Sequence, residues 1–351
     1  MPGFLGHRNN VGWARLFFAF LVATVHGLAL FYDVSEILLK YFRGTPFFAF
    51  ISGFYIYSSY AKNPKACVFL RRRLTRILPL VYLSTGFTLV MIFLYLGHDF
   101  VTANLKDIIH WLLAQFSIFQ KFWPQSLIES GIPLKNGSLW FISFILIMYL
   151  GVPLVYAVEK KKPTIVFALT GLSILISILY YLNKDLPAAK ALRGVVESAQ
   201  TDISRTFVML VIYSWIFGLG ILARKHLAIF TAALKRPLIA LTLVVLSVVL
   251  DITGILHFYW MGPMPINYII PLLVCVMFFC FNIPYLGTPP DISMGVFIWH
   301  IPIFYQMQMH GYNNLGIGIG LTVIIAFITY YLVERPIERR YKQVAKASYT
   351  H

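Results

Sequence analysis

The stretch Gly12-Trp13-Ala14-Arg15-Leu16-Phe17-Phe18-Ala19-Phe20-Leu21-Val22-Ala23-Thr24-Val25-His26-Gly27-Leu28-Ala29-Leu30-Phe31-Tyr32 decides how this chain folds. A helix needs roughly 20 apolar residues to cross the hydrocarbon core of a bilayer, and this run supplies them. It is too long for the apolar core of a signal peptide, contains His26 and lacks a small-residue cleavage site, so it reads as a retained span. Arg15 and His26 are its only basic residues.

The rest of the sequence has the same character. Of its 351 residues 59% are hydrophobic, 17% aromatic and only 12% charged, and the mean hydropathy is +0.76. A soluble domain is nearer 45–50% apolar and about 25% charged, so neither a water-soluble globule nor a disordered chain fits. Apolar segments recur at 12–32, 44–60, 77–97, 138–157, 164–182, 205–223, 237–254, 266–282, 291–309 and 315–333. They predict an all-α polytopic membrane protein of about ten transmembrane helices. It is read as a single domain over 1–351 with no appended soluble domain. The segments at 44–60 and 266–282 are short and contain proline, so they are expected to be broken or tilted.

Lys and Arg total 29 against 13 Asp and Glu, a net charge of +16. With the N-terminus placed in the cytoplasm, 20 of those 29 basic residues fall on the cytoplasmic side. That asymmetry follows the positive-inside rule and puts both termini inside, so the excess charge is a topology signal and no nucleic-acid partner is implied. The longest loop, Gly97 to Gly137, lies outside on this reading. Its stretch Ile108-Ile109-His110-Trp111-Leu112-Leu113 is amphipathic and suits an interfacial or re-entrant segment. The outer loop Asn183 to Ser204 is mixed in charge.

An ionisable group inside a membrane is costly, which makes His26 and His300 functional candidates. Arg15 precedes His26 by 11 residues, roughly three helical turns. Both side chains therefore lie on one helix face, about 16 Å apart along the axis. A neutral imidazole at His26 can take a proton from a hydroxyl, as acyl transfer to an alcohol requires. A buried histidine bonded to a neighbouring helix is the plainer alternative. His300 stands in Trp299-His300-Ile301-Pro302, where Pro302 frees a backbone carbonyl one turn earlier. It reads first as a substrate contact or a structural hydrogen bond, then as a catalytic partner.

The densest charge lies in Phe69-Leu70-Arg71-Arg72-Arg73-Leu74-Thr75-Arg76-Ile77-Leu78-Pro79-Leu80-Val81-Tyr82. As a topogenic anchor it would face anionic lipid head groups. As a binding site it suits the phosphates of coenzyme A. Gly53 would let helices approach closely. Trp140, in Asn136-Gly137-Ser138-Leu139-Trp140, is either an interfacial anchor or a platform for a sugar ring. Cys67, Cys275 and Cys280 form no disulfide framework, and ligand-type residues do not cluster as a metal would need. No P-loop, HExxH, GxSxG or CxxC motif occurs.

These residues resemble acyltransferase family 3, integral-membrane O-acyltransferases of bacterial surface and secreted glycans. Arg15 and His26 match its first-span pattern, and Phe47-Phe48-Ala49-Phe50-Ile51-Ser52-Gly53-Phe54 resembles its FFxLSGF segment. Phe69 to Tyr82 resembles FLxxRxxRIxPxY. Ser293-Met294-Gly295-Val296-Phe297-Ile298-Trp299-His300-Ile301-Pro302 resembles SYxLYLWHxP, and Tyr330-Tyr331-Leu332-Val333-Glu334-Arg335-Pro336 resembles the closing YxxxExP.

The resemblance implies an acyl group, expected to be acetyl, carried by cytoplasmic acyl-coenzyme A as co-substrate, with no tightly bound cofactor. The acceptor would be a hydroxyl of a surface or lipid-linked glycan, and the location a bacterial inner membrane. His26 carries over as general base or transient acyl carrier with Arg15 as its partner, and Arg73 and Arg76, with neighbouring Arg72, as donor-binding residues. Many members have a Glu five residues after the fourth-span Trp; here that position is Ile145. Two other readings stand beside this one: a transporter lined by Arg15, His26 and His300, and an acyltransferase acting on a lipid or a protein-bound amine.

Overall fold

The computed structural model describes residues 9–34, 41–42, 44–120, 122–181, 202–255 and 266–347. The Asn183–Ser204 loop lies almost wholly outside these residues. Helices α1 (Val11–Tyr32), α2 (Thr45–Lys62), α3 (Ala66–Ala103), α4 (Leu105–Gln115) and α5 (Gln125–Glu129) are followed by α6 (Leu139–Glu159) and α7 (Ile165–Tyr181). Then come α8 (Asp202–Lys225), α9 (Leu227–Leu234), α10 (Pro237–Ile252), α11 (Ile266–Asn282), α12 (Ser293–Met309) and α13 (Leu315–Thr329). A π turn, Tyr330–Glu334, leads into α14 (Arg335–Ala347).

Each apolar segment of the sequence is found as helix. Four helical stretches, Val11–Tyr32, Ala66–Ala103, Leu139–Glu159 and Leu315–Tyr341, are long and apolar enough to cross a membrane. A fifth would be the pair Tyr213–Lys225 and Leu227–Leu234, bent by 99°. Shorter apolar helices cover Ile165–Leu179, Pro237–Ile252 and Ile266–Asn282. The described residues are thus all-helical in their regular structure, as in a multi-pass membrane protein.

The prolines act in different ways. Pro46 sits in the first turn of α2, where its missing N–H costs nothing, so it starts that helix and does not break it. Pro271 lies inside α11. The third segment departs most from expectation, since α3 begins at Ala66 and encloses the whole arginine run. Charge ends an apolar window but not a helix, because Arg is a good helix former. Near its other end Gly97 adopts φ 78°, ψ 173°, a backbone break open to glycine, at the expected end of the span. Pro336 cannot donate to Leu332 four residues back, and the wider π turn just before it relieves the ladder there.

The chain forms two compact units. One contains α1 to Phe18, α2, α6 from Leu150 and α7–α11. Here α2 and α8 meet backbone to backbone: a Cβ at Gly53 would overlap the Phe217 carbonyl oxygen, and one at Gly220 the Phe50 carbonyl oxygen. The buried Asn10 side chain donates to the carbonyls of Pro284 (3.0 Å) and Ile283 (3.2 Å), which follow α11, and accepts from the Leu286 N–H (2.9 Å). Glu159 receives both Tyr57 Oη and Lys225 Nζ.

The other unit contains α1 from Ala19, α3–α5, α6 to Tyr149 and α12–α14. Its centre is α12, buried on nearly every face from Ser293 to Phe304. Such a helix shows no amphipathic stripe because no face meets solvent. Small residues allow its neighbours in: Gly295 packs on Ala326, and Gly27 on Phe304 and Leu315. The expected amphipathic segment is α4. It buries Ile108 and Trp111 with Ile92, Trp123, Leu127 and Leu134, while Leu105, Ile109 and Leu113 remain exposed. An apolar outer face suits a helix lying at a membrane surface.

Candidate active site

Close packing at Gly27 brings the preceding residue, His26, against α12. His26 Nδ1 and His300 Nε2 are 2.8 Å apart. The rings are nearly parallel, at 11°, with centroids 5.0 Å apart. His300 is fully buried, and its Nδ1 lies 3.1 Å from the Val296 carbonyl oxygen one turn earlier on α12.

This chain of bonds assigns the tautomers. A carbonyl oxygen can only accept, so His300 Nδ1 holds a proton. With both rings neutral, His300 Nε2 has the lone pair and accepts from His26 Nδ1–H. His26 Nε2 is left with a lone pair and no protein partner among the described residues. The half-buried His26 therefore presents a base, and its orientation is fixed by a second histidine that is itself fixed by backbone. Both ring nitrogens of His300 are occupied, which leaves neither for a substrate.

The carbonyl freed by Pro302 is that of Ile298. Asn136 Nδ2 donates to it at 3.0 Å and to Ser84 Oγ at 3.1 Å. Asn136 Oδ1 accepts from the Ser138 N–H (3.2 Å) and hydroxyl (2.6 Å). Sequence reasoning foresaw the orphaned carbonyl but missed Asn136, whose role rests on a contact between distant segments. It also missed the Val296 carbonyl, since no side-chain pattern marks a backbone acceptor.

The other candidates are placed as follows. Arg15 is half-buried near the start of α1, in the turns that group with the first unit. Arg72, Arg73 and Arg76 lie in the second and third turns of α3, beyond its first free N–H groups, so an anion there would meet side chains and not a helix terminus. Arg72 is exposed, and Arg73 is half-buried with its guanidinium 5.8 Å from the Phe69 ring centroid. Arg76 Nη2 bonds Asp291 Oδ2 at 2.5 Å, with the two side chains 45% and 46% exposed. Trp140 is half-buried at the start of α6 and meets Phe141 edge to face, at 5.8 Å and 81°. Ile145 is buried in the same helix. Among the described residues no three His, Cys, Asp or Glu side chains are grouped as a metal site requires.

The family model of the acyltransferase 3 domain matches residues 8–333, nearly the whole chain. Neither a curated protein nor a solved structure matches.

Proposed function

Since the chain belongs to the acyltransferase 3 family and is therefore a membrane acyltransferase, we propose that it moves an acetyl group from cytoplasmic acetyl-coenzyme A to a carbohydrate hydroxyl. On this reading the chain crosses a bacterial inner membrane about ten times, with both termini cytoplasmic. The acceptor is a surface or lipid-linked glycan.

The observation that carries the mechanism is the free lone pair at His26 Nε2, held by His300 and the Val296 carbonyl. His26 Nε2 takes the proton of the acceptor hydroxyl as its oxygen attacks the thioester carbonyl. The C–S bond breaks as the tetrahedral intermediate collapses, and the proton on His26 passes to the departing thiolate. Ester and free thiol result. In this scheme His300 is a positioning residue and not a substrate contact. Arg72 and Arg73 attract the phosphates of the donor, with Arg76 held beside them by Asp291.

The test is to incubate the purified chain with labelled acetyl-coenzyme A and candidate glycans. Label is expected in the glycan, and is expected to vanish in His26→Ala while expression and membrane insertion persist. Full transfer by His26→Ala would sink the mechanism, and solute movement without label transfer would favour a transporter.

A further inference from the structure

On the sequence pattern Gly97 to Gly137 is the longest loop outside the membrane. Its contacts lie at another level. The apolar window of α3 runs from Ile77 to Gly97, which puts Phe87 near its middle. His98 and Asp99, just past that window, are exposed and mark its aqueous end. Helix α4 does not stay there. Ile108 and Trp111 pack in one cluster with Ile92 of α3. The ring of Phe116, which closes α4, lies 4.6 Å from that of Tyr82, centroid to centroid. Tyr82 stands 15 residues before Gly97, about 22 Å along a helix. Helix α4 therefore runs back beside α3, antiparallel to it, to beyond the middle of the apolar window.

The chain then returns and descends a second time. Ser126 in α5 donates to Asp107, in the first turn of α4, at 2.6 Å. Ten residues later Asn136 donates to Ser84 Oγ and to the Ile298 carbonyl. Ser84 is within a turn of Phe87, and the Phe87 ring meets that of Trp299, the residue before His300, at 5.7 Å. Asn136 thus stands at the level of the imidazole pair. Residues 131–136 form no helix, and α6 begins only at Leu139. The far half of this crossing is therefore irregular chain. Irregular backbone at membrane depth persists only under a cover of protein or along water. Helices α4 and α5 supply such a cover, since Leu134 is buried in one cluster with Trp111 and Leu127.

We propose that residues 105–137 are a re-entrant segment of the membrane domain, and that the exposed face of α4 meets the acyl chains of membrane lipids. An apolar outer face suits a helix lying on a membrane as well as one entering it, so the order of residues along the helix decides. The exposed residues of its first half are Leu105, Lys106, Ile109 and His110. Those beyond are Leu113, 63% exposed, and Phe116, 53% exposed. Exposed polarity stops as the helix descends. At the same depth α3 exposes Val90, Phe93 and Leu94, so both helices turn apolar side chains outward there. The consequence for the site is positional: protein and not lipid flanks α12 at Ile298, two residues before His300. The sequence conceals this depth, because the contacts that set it join Asn136 to residues 52 and 162 positions away.

The test uses the full-length chain in liposomes without donor or acceptor, so its outcome is independent of acyl transfer. Nitroxide labels are attached through Leu105→Cys, Ile109→Cys, Leu113→Cys and Phe116→Cys, one at a time, on a parent carrying Cys67→Ala, Cys275→Ala and Cys280→Ala. Asp99→Cys and Leu94→Cys give the aqueous and lipid references. Electron paramagnetic resonance compares collisions with oxygen, which concentrates in lipid, and with a water-soluble nickel chelate. The oxygen-to-nickel ratio should climb from Leu105, near the Asp99 value, to Phe116, near the Leu94 value. The depth difference between those two ends should approach 16 Å, about the rise of eleven helical residues. Should Phe116→Cys, which gives up the Tyr82 contact, not fold, Leu113→Cys against Leu105→Cys decides, at about 12 Å. One ratio at all four positions would make α4 a helix lying on the surface, and nickel access equal to that at Asp99 would make the segment an aqueous loop. Either result overturns the proposal. Low access to both reagents at Leu113 and Phe116 would also overturn it, because protein and not lipid would then cover that face.

Discussion

Pro271 in α11 and Pro302 in α12 inflict the same injury on the backbone. Each deprives a carbonyl four residues earlier of its helical N–H. In the first unit the freed carbonyl is that of Asn267, and Ser247 on α10 donates to it at 3.1 Å. Asn267 Nδ2 returns a bond to Ser247 Oγ at 3.3 Å, closing a small loop between two adjacent helices. In the second unit the carbonyl of Ile298 is met by Asn136, which also binds Ser84 and Ser138. The first repair joins two helices only. The second ties α3 and the start of α6 to the helix bearing His300. Among the described residues, unpartnered buried polar atoms occur in both units, Trp215 Nε1 in one and Trp299 Nε1 in the other. Polarity in the first unit holds helices together, and in the second it supports the helix that carries the His26–His300 pair.

The sharpest way to break that contrast is at the imidazole pair. His26→Ala should lower kcat by about 10²–10⁴-fold, the usual contribution of a general base. His300→Leu should fall toward the same level, and His300→Gln should recover part of the rate, because an amide oxygen can still accept from His26 Nδ1–H. Steady-state kinetics on protein of matched fold would check this. Equal activity of the Leu and Gln variants would reduce His300 to packing.

The first unit should respond in the opposite manner. Gly53→Ala and Gly220→Ala force a methyl group onto a facing carbonyl oxygen, so helices α2 and α8 must separate. Overpacking of this kind costs about 1–3 kcal/mol. Thermal midpoints should drop, while kcat per folded molecule should stay near wild type. A rate loss exceeding the loss of folded protein would show that this unit contributes to the chemistry.

The two proline repairs can be compared directly. Asn136→Leu leaves the Ile298 carbonyl buried and unmet, a penalty of about 1–3 kcal/mol, and should also lower kcat by loosening the segment that holds His300. Ser247→Ala removes one bond worth about 1 kcal/mol and should leave kcat and both KM values alone. Measuring stability and kinetics on both variants decides the matter, and slowed turnover in Ser247→Ala would erase the distinction.

The sequence made some of this legible and hid the rest for physical reasons. Hydropathy found the helices because burial in lipid imposes a long apolar run; the segment 266–282 coincides with Ile266–Asn282. It misjudged the start of α3, because Arg71 to Arg76 break the apolar pattern without breaking the helix. His26 and His300 stand out in the sequence as isolated ionisable groups in apolar surroundings. Their contact does not, since 274 residues separate them and no local spacing records it.

The smallest effect belongs to the pair Arg76 and Asp291. The two groups are in direct contact, yet both side chains are nearly half exposed, at 45% and 46%. Solvent screening holds such a pair to about 0–1 kcal/mol, so removing either partner should barely move the thermal midpoint. What should move is the donor KM. If Asp291 competes with the donor phosphates for Arg76, then Asp291→Asn frees a guanidinium and lowers that KM severalfold, whereas Arg76→Ala raises it. Arg72→Ala, which removes an exposed cation one turn earlier, should raise it as well. All three shifts should shrink at high salt, because exposed charges act through a screened field. Acceptor KM should remain constant throughout. A large stability loss with donor KM unchanged would make the pair a clamp between α3 and the start of α12, and would move the donor site elsewhere on the second unit.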